Sequence, residues 1–317
     1  MQSKLKGYLC GIGAAVCYGT NPLGALYLYE DGINANSVLF YRFALAVVML
    51  GMLMAARRKS LKVSRRELSL LCALGVVFST SSITLYFSFC FMDAGIASTL
   101  LFVYPVMVAV IMALLFKERL PAVSVFAIML ALSGIAMLYH GDGGATLSTR
   151  GVMLVMFSSL SYAVYIVVVN KSPLRMSSMK LTFYVLLAGA MVFGLNLSVK
   201  GVPLDPIPDW ETGVYLLLLA LIPTLVSDFT LILSVQHVGS TTTAVLGCME
   251  PLTAVCMGVW FLHESLGFWQ FAGIVIILSA LSVVILANSK DGFRPRRLIP
   301  LKLRKAVRWI KPINFSH

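Results

Sequence analysis

The sequence predicts an all-α membrane protein of ten transmembrane helices, arranged as two five-helix repeats of opposite orientation. Three observations predict it: an apolar excess too large for a water-soluble core, ten apolar runs of spanning length, and the same punctuation used twice along the chain. Of 317 residues, 59% are apolar and 12% charged, and the mean hydropathy is +0.90. A water-soluble domain carries roughly twice that charged fraction. The second solvent must therefore be lipid.

A helix crossing the ~30 Å hydrocarbon core needs about 20 apolar residues. Runs of that length occupy approximately residues 7–29, 35–56, 67–91, 94–116, 121–140, 149–170, 180–199, 212–235, 239–262 and 267–288. Short turn-forming segments separate them: Glu30-Asp31-Gly32, Pro121, Gly141-Asp142-Gly143-Gly144, Ser172-Pro173, and Pro203 through Trp210. The first run is too long for a cleaved signal and lacks a small-residue exit site. All six cysteines lie inside apolar runs, without metal-ligand or redox spacing, and read as small buried hydrophobes.

The repeat is legible in pairs. Thirteen residues after Pro105 comes Glu118-Arg119-Leu120, and thirteen after Pro251 comes Glu264-Ser265-Leu266, an offset of 146. Upstream, Gly239 answers Gly95 and Tyr162 answers Tyr18 at an offset of 144. The chain thus divides into residues 7–140, residues 149–288, and a basic tail, 289–317. Five is an odd number of spans, so the second repeat enters the membrane upside down, and a cavity near the bilayer centre is expected between the two.

Orientation follows from the basic residues. With the N-terminus in the cytoplasm, every Lys and Arg falls on the inner side except Arg150, Lys200 and Arg42, which lies within span two. Both termini are then cytoplasmic, and Glu30, Asp31, Asp142, Asp205, Asp209 and Glu211 gather outside. The net charge of +12 is thus a topology signal, and no nucleic-acid partner is expected. The tail either binds anionic lipid, with Trp309 at the interface, or only fixes topology.

Ionisable groups inside a span cost about 2.5–3.5 kcal/mol at the helix centre on insertion scales, which makes each a functional candidate. Glu250 stands at the midpoint of span nine, beside Pro251, whose missing donor kinks the helix and frees carbonyls. It is either a kink residue bonded to a neighbouring helix or a substrate- or proton-binding carboxyl. Asp228, about 6 Å from the centre of span eight, either bonds Ser227, Thr230 or Ser234 or shares that site. Its repeat counterpart is Thr84, within the polar run Ser79-Thr80-Ser81-Ser82-Ile83-Thr84, so spans three and eight are expected to line one polar cavity. Arg42 binds a substrate carboxylate, pairs with Glu250 or Asp228, or snorkels to the outer interface. Tyr18, Asn21-Pro22, Tyr86, Tyr162, Tyr165 and Trp260 add aromatic and polar surface at bundle depth, each also explicable as packing. Pro105 and Pro251 are expected to be hinges of the two central helices.

Other chemistry is not encoded. His263-Glu264 opens like a zinc-protease motif, but Gly267 stands where the second histidine belongs. No nucleophile elbow, P-loop or cofactor motif is present. A polytopic enzyme would need a nucleophile and base or a metal cluster at one bilayer face, and a sensor an added soluble domain; neither is found.

Ten spans in two halves, each with a proline followed thirteen residues later by Glu-x-Leu, resemble the EamA branch of the drug/metabolite transporter superfamily. Tyr18-Gly19-Thr20-Asn21 and Phe40-Tyr41-Arg42-Phe43 are similar to that family too, and the likeness covers about residues 7–288. It implies a secondary transporter of the bacterial inner membrane that works by alternating access. The expected activity is export or exchange of small metabolites such as amino acids. The partners implied are a small-molecule substrate, protons as a candidate coupling ion, and the lipid bilayer, with the protein a monomer or homodimer. Arg42, Glu250 and Pro251 match the family's pattern. Tyr104 departs from it, standing where many members have a small residue, and Asp228 lies outside it.

Overall fold

The structure, a computed structural model, describes residues 2–92, 97, 100–117, 122–138, 148–172, 176–201, 203–261 and 268–290. Both Glu-x-Leu motifs, Gly95, the 141–144 turn and the tail from residue 291 lie outside the described residues. Every regular element described is helical.

Span one is α1 (Gln2–Gly19) and α2 (Asn21–Glu30), span two α3 (Ala35–Ala56) and span three α4 (Arg65–Ser88). Span four ends in α5 (Tyr104–Phe116), and span five is α6 (Ala122–Leu138). In the second repeat, α7 (Thr149–Lys171) and α8 (Ser178–Lys200) are spans six and seven. Span eight is α9 (Trp210–Ala220), a π-helical turn (Leu221–Val226) and α10 (Ser227–Val238). Span nine is α11 (Ser240–Leu246) and α12 (Met249–Phe261), and span ten is α13 (Phe268–Lys290). Lys4–Glu30, Ala35–Ala56, Arg65–Ser88, Thr149–Lys171, Ser178–Val199 and Trp210–Val238 are each long and apolar enough to cross a membrane. The outer surface is apolar too: Leu114 is 73% exposed and Met153 68%, as a lipid-facing wall requires.

The termini of these helices are written locally. Ser64 and Glu67 form a reciprocal capping box ahead of α4. Asp209 accepts from the Thr212 amide at 2.7 Å to open α9, which holds its carboxyl below the usual range.

Packing obeys the two-fold relation that the repeat predicts. α1 lies on α10 and α12, while its counterpart α7 lies on α4 and α5; α3 lies on α9 as α8 does on α4. The counterparts α3 and α8, and α6 and α13, pair with each other, and α5 of span four lies on α11 of span nine. The opposed orientation is visible in the loops. Asn34, just before α3, donates to Asp205, just after α8, at 2.7 Å. Beyond the other end of α3, the carbonyls of Leu61 and Lys62 accept from Tyr184 and Lys180, both early in α8. Equivalent helices therefore run antiparallel.

The continuous runs expected at spans one, four, eight and nine are interrupted. Span one breaks at Thr20, span four at 102–103, and span nine at Gly247–Cys248, while span eight widens into the π turn. Pro22, Pro105, Pro223 and Pro251 each stand at or just after the break, because proline has no amide hydrogen to continue the ladder.

Candidate functional site

The interruptions of spans one, four, eight and nine meet at the middle of the bundle. Gly19 packs so tightly on span nine that a Cβ there would lie 2.6 Å from the Glu250 carbonyl oxygen. At Gly247 a Cβ would lie 1.7 Å from the Tyr104 hydroxyl. Only the smallest residue lets these backbones and rings approach, so spans one, four and nine close on one point.

That point lies on the pseudo-two-fold axis. Tyr18 and Tyr162, counterparts by the repeat, stack on each other with ring centroids 6.4 Å apart and planes 14° apart. A residue that meets its own counterpart must sit at the axis. Tyr104 and Glu250, each immediately before its repeat's proline, are also counterparts, and their side chains adjoin each other. The Tyr104 ring meets the Tyr162 ring edge-on at 4.8 Å. Glu250 is 9% exposed. It borders a small cavity with Tyr18, Asn21, Pro22, Leu85, Phe89, Leu101 and Pro251.

Beside this cavity, Arg42 is fully buried and is held by neutral oxygens. Nε donates to Thr224 Oγ1 at 2.5 Å, one terminal nitrogen to Asn21 Oδ1 at 2.7 Å and the Tyr86 hydroxyl at 2.8 Å, and the other to the Pro223 carbonyl at 3.4 Å. Tyr86 in turn donates to Asn21 Oδ1 at 2.7 Å. The rings of Tyr18, Phe43 and Tyr86 lie 5.7–5.9 Å from the guanidinium carbon, within cation–π range. Arg42 therefore does not snorkel to the interface. It links the break in span one to the π turn of span eight. The π turn has a local cause: Pro223 cannot donate, and the Thr224 hydroxyl takes the Leu219 carbonyl at 2.9 Å instead.

Asp228, 3% exposed, lies within electrostatic reach of Arg42 and Tyr165. The hydrogen bonds expected for it from neighbouring hydroxyls are not made. Ser227 donates to the Ala14 carbonyl, Thr230 to its own helix, and Ser234 pairs with Thr243. One carboxyl oxygen of Asp228 and the Tyr165 hydroxyl are buried without a partner. Such an atom costs free energy unless something else meets it.

Thr84 is placed differently from the expectation of a shared polar cavity. Its hydroxyl bonds the carbonyls of Thr80 and Ser81 in its own helix. The polar run around it serves packing: Ser81 and Ser158 bond each other's backbone or hydroxyl across α4 and α7. Span three reaches the cavity through Leu85 and Phe89 instead. The Trp260 side chain lies outside the described residues. Pro105 and Pro251 open the first turns of α5 and α12, just past the breaks. Among the described residues no group of three or more His, Cys, Asp or Glu stands together to hold a metal. Sequence reading did not single out Pro223 and Thr224, although a proline inside an apolar run of spanning length is a visible signal.

The profile described as the EamA-like transporter family matches the chain twice, over residues 5–140 and 149–286. The chain is 21% identical over 286 residues to the uncharacterized transporter YcbK of Bacillus subtilis, covering 86% of this chain and 91% of that one. It is 25% identical over 199 residues to the uncharacterized transporter YvbV of the same organism, covering 61% and 64%. A crystal structure superposes with a TM-score of 0.76 at 15% identity, over 90% of this chain and 99% of the other, a likeness of fold.

Proposed function

Because the chain belongs to the EamA-like transporter family, we propose that it carries a small metabolite across the membrane as a secondary transporter working by alternating access. Glu250 is the central proton- or amine-binding group, and Asp228 and Arg42 assist it. Family and relatives' names alike point to transport rather than catalysis. The protein is an integral membrane protein; its proposed place is a bacterial inner membrane, with both termini cytoplasmic and a monomeric or homodimeric state. Export or exchange of metabolites such as amino acids is the activity the family likeness suggests.

The observation that carries this reading is the meeting of Glu250 and Tyr104 at the pseudo-two-fold axis, at equivalent positions of opposed repeats. When two such repeats rock against each other, a group on the axis moves least, while the walls on its two sides open in turn. A carboxyl there meets first one side of the membrane and then the other, which is what carrying a proton or an amine requires. Breaks beside Pro105 and Pro251 supply half-helices that turn as rigid pieces.

Glu250→Gln keeps shape and hydrogen-bonding capacity but cannot ionise. A hydrogen bond to a charged group contributes about 1.5–3 kcal/mol, so transport in liposomes should fall about tenfold or more. Its response to an imposed pH gradient should vanish. Retention of both the rate and the pH response would make Glu250 structural.

A further inference from the structure

We infer that the central cavity selects an organic amine with an apolar body and no carboxylate, in preference to a zwitterionic amino acid. This narrows the substrate of the transport reading and rests on it. The lining carries one carboxyl, Glu250, among Tyr18, Asn21, Pro22, Leu85, Phe89, Leu101 and Pro251. No Lys or Arg is among the described lining residues.

Arg42 is near, but four of its five N–H donors are already engaged. Nε, one terminal nitrogen twice over and the other once already serve Thr224, Asn21, Tyr86 and the Pro223 carbonyl. The one lining amide oxygen, Asn21 Oδ1, is likewise taken by Arg42 and Tyr86. A substrate carboxylate would find no cation in the lining to pair with and would lie next to Glu250, and burying an unpaired charge is strongly unfavourable. An ammonium meets the opposite situation. Glu250 pairs with it, the faces of Tyr18 and Phe89 attract it, and Leu85 and Leu101 cover a hydrocarbon body.

The loops at the same end of the bundle repeat the preference. Asp31 and Asp205 bridge the repeats by accepting from Thr212 and Asn34, and Glu30, Asp209 and Glu211 lie exposed in the same loops. An acid-rich mouth raises the local concentration of cations. The cavity holds about 20 Å³ in this conformation, room for one water-sized guest. An amine of any size therefore enters only as the repeats part.

Three probes of one shape separate the charges: 2-phenylethylamine is a cation, phenylalanine a zwitterion and 3-phenylpropionate an anion. Calorimetric titration of the purified full chain in detergent should show 2-phenylethylamine binding at least tenfold more tightly than either other probe. Glu250→Gln, checked by size-exclusion chromatography, should weaken the amine tenfold or more; Tyr18→Leu, an independent variant, should weaken it several-fold. Phenylalanine or 3-phenylpropionate binding as tightly as the amine would overturn the inference, as would binding of none of the three. Counterflow in liposomes separates the two readings. Amine binding without amine transport upholds the cavity assignment and ends the transport reading. Transport of phenylalanine but not of 2-phenylethylamine upholds transport and ends the amine assignment.

Discussion

Arg42 carries a full charge into a bundle interior, and its cost is met by geometry rather than by a counter-charge. A guanidinium presents its N–H groups in a rigid fork, so one side chain reaches Thr224, Asn21 and Tyr86 at once. A lysine keeps the charge but not the fork. Arg42→Lys should leave at least one buried acceptor unpaired, at a cost of about 1–3 kcal/mol. The thermal unfolding midpoint in detergent should fall accordingly, and a wild-type midpoint would show that the network contributes nothing to stability. The same accounting singles out Asp228, one of whose carboxyl oxygens is buried without a partner within electrostatic reach of that charge. At this scale, chemistry that the two repeats share has diverged: the position before the proline is tyrosine in one and glutamate in the other.

Among the elements, the broken helices matter most. Span nine leaves its helical path at Gly247–Cys248, and the Glu250 amide bonds the Gly247 carbonyl at 2.8 Å. The break therefore precedes Pro251 rather than following from the proline alone. Pro251→Ala restores one donor to a region already bonded in another way. Folding should change little, within ~1 kcal/mol for a substitution whose backbone the new residue can adopt. If the proline is a hinge, transport in liposomes should slow several-fold, because alanine allows the half-helices to join. Transport at the wild-type rate would leave Pro251 as tolerated packing. Spans three and six, the counterparts of eight and one, run unbroken. The two halves are thus alike in packing but not in where they bend.

For the whole molecule, the antiparallel pairing of α3 and α8 requires the 31–34 and 201–209 loops on one face and the 57–64 loop on the other. Which face is cytoplasmic is set by charge, and Arg57, Arg58, Lys59 and Lys62 crowd the second. Reporter fusions after Arg58 should read cytoplasmic and fusions after Gly143 periplasmic. The reverse pattern would turn the protein over in the membrane and move the acid-rich mouth to the cytoplasm.

Span count and the inverted relation were written in the sequence, because hydropathy and turn residues act locally and a repeat is a comparison of the chain with itself. Glu250, Arg42 and Asp228 could also be singled out there, since charge inside an apolar run is costly wherever it points. Their partners could not. Whether Arg42 meets a carboxylate or Thr224 and Asn21 depends on distances between residues as much as 182 positions apart. Thr84 illustrates the limit: a polar residue within a span reads the same whether it faces a cavity or bonds its own backbone, as it does here. The meeting of Tyr18 with Tyr162, and of Tyr104 with Glu250, needed the packed bundle for the same reason. Sequence repetition names counterparts, but only close packing at glycines brings them to one axis.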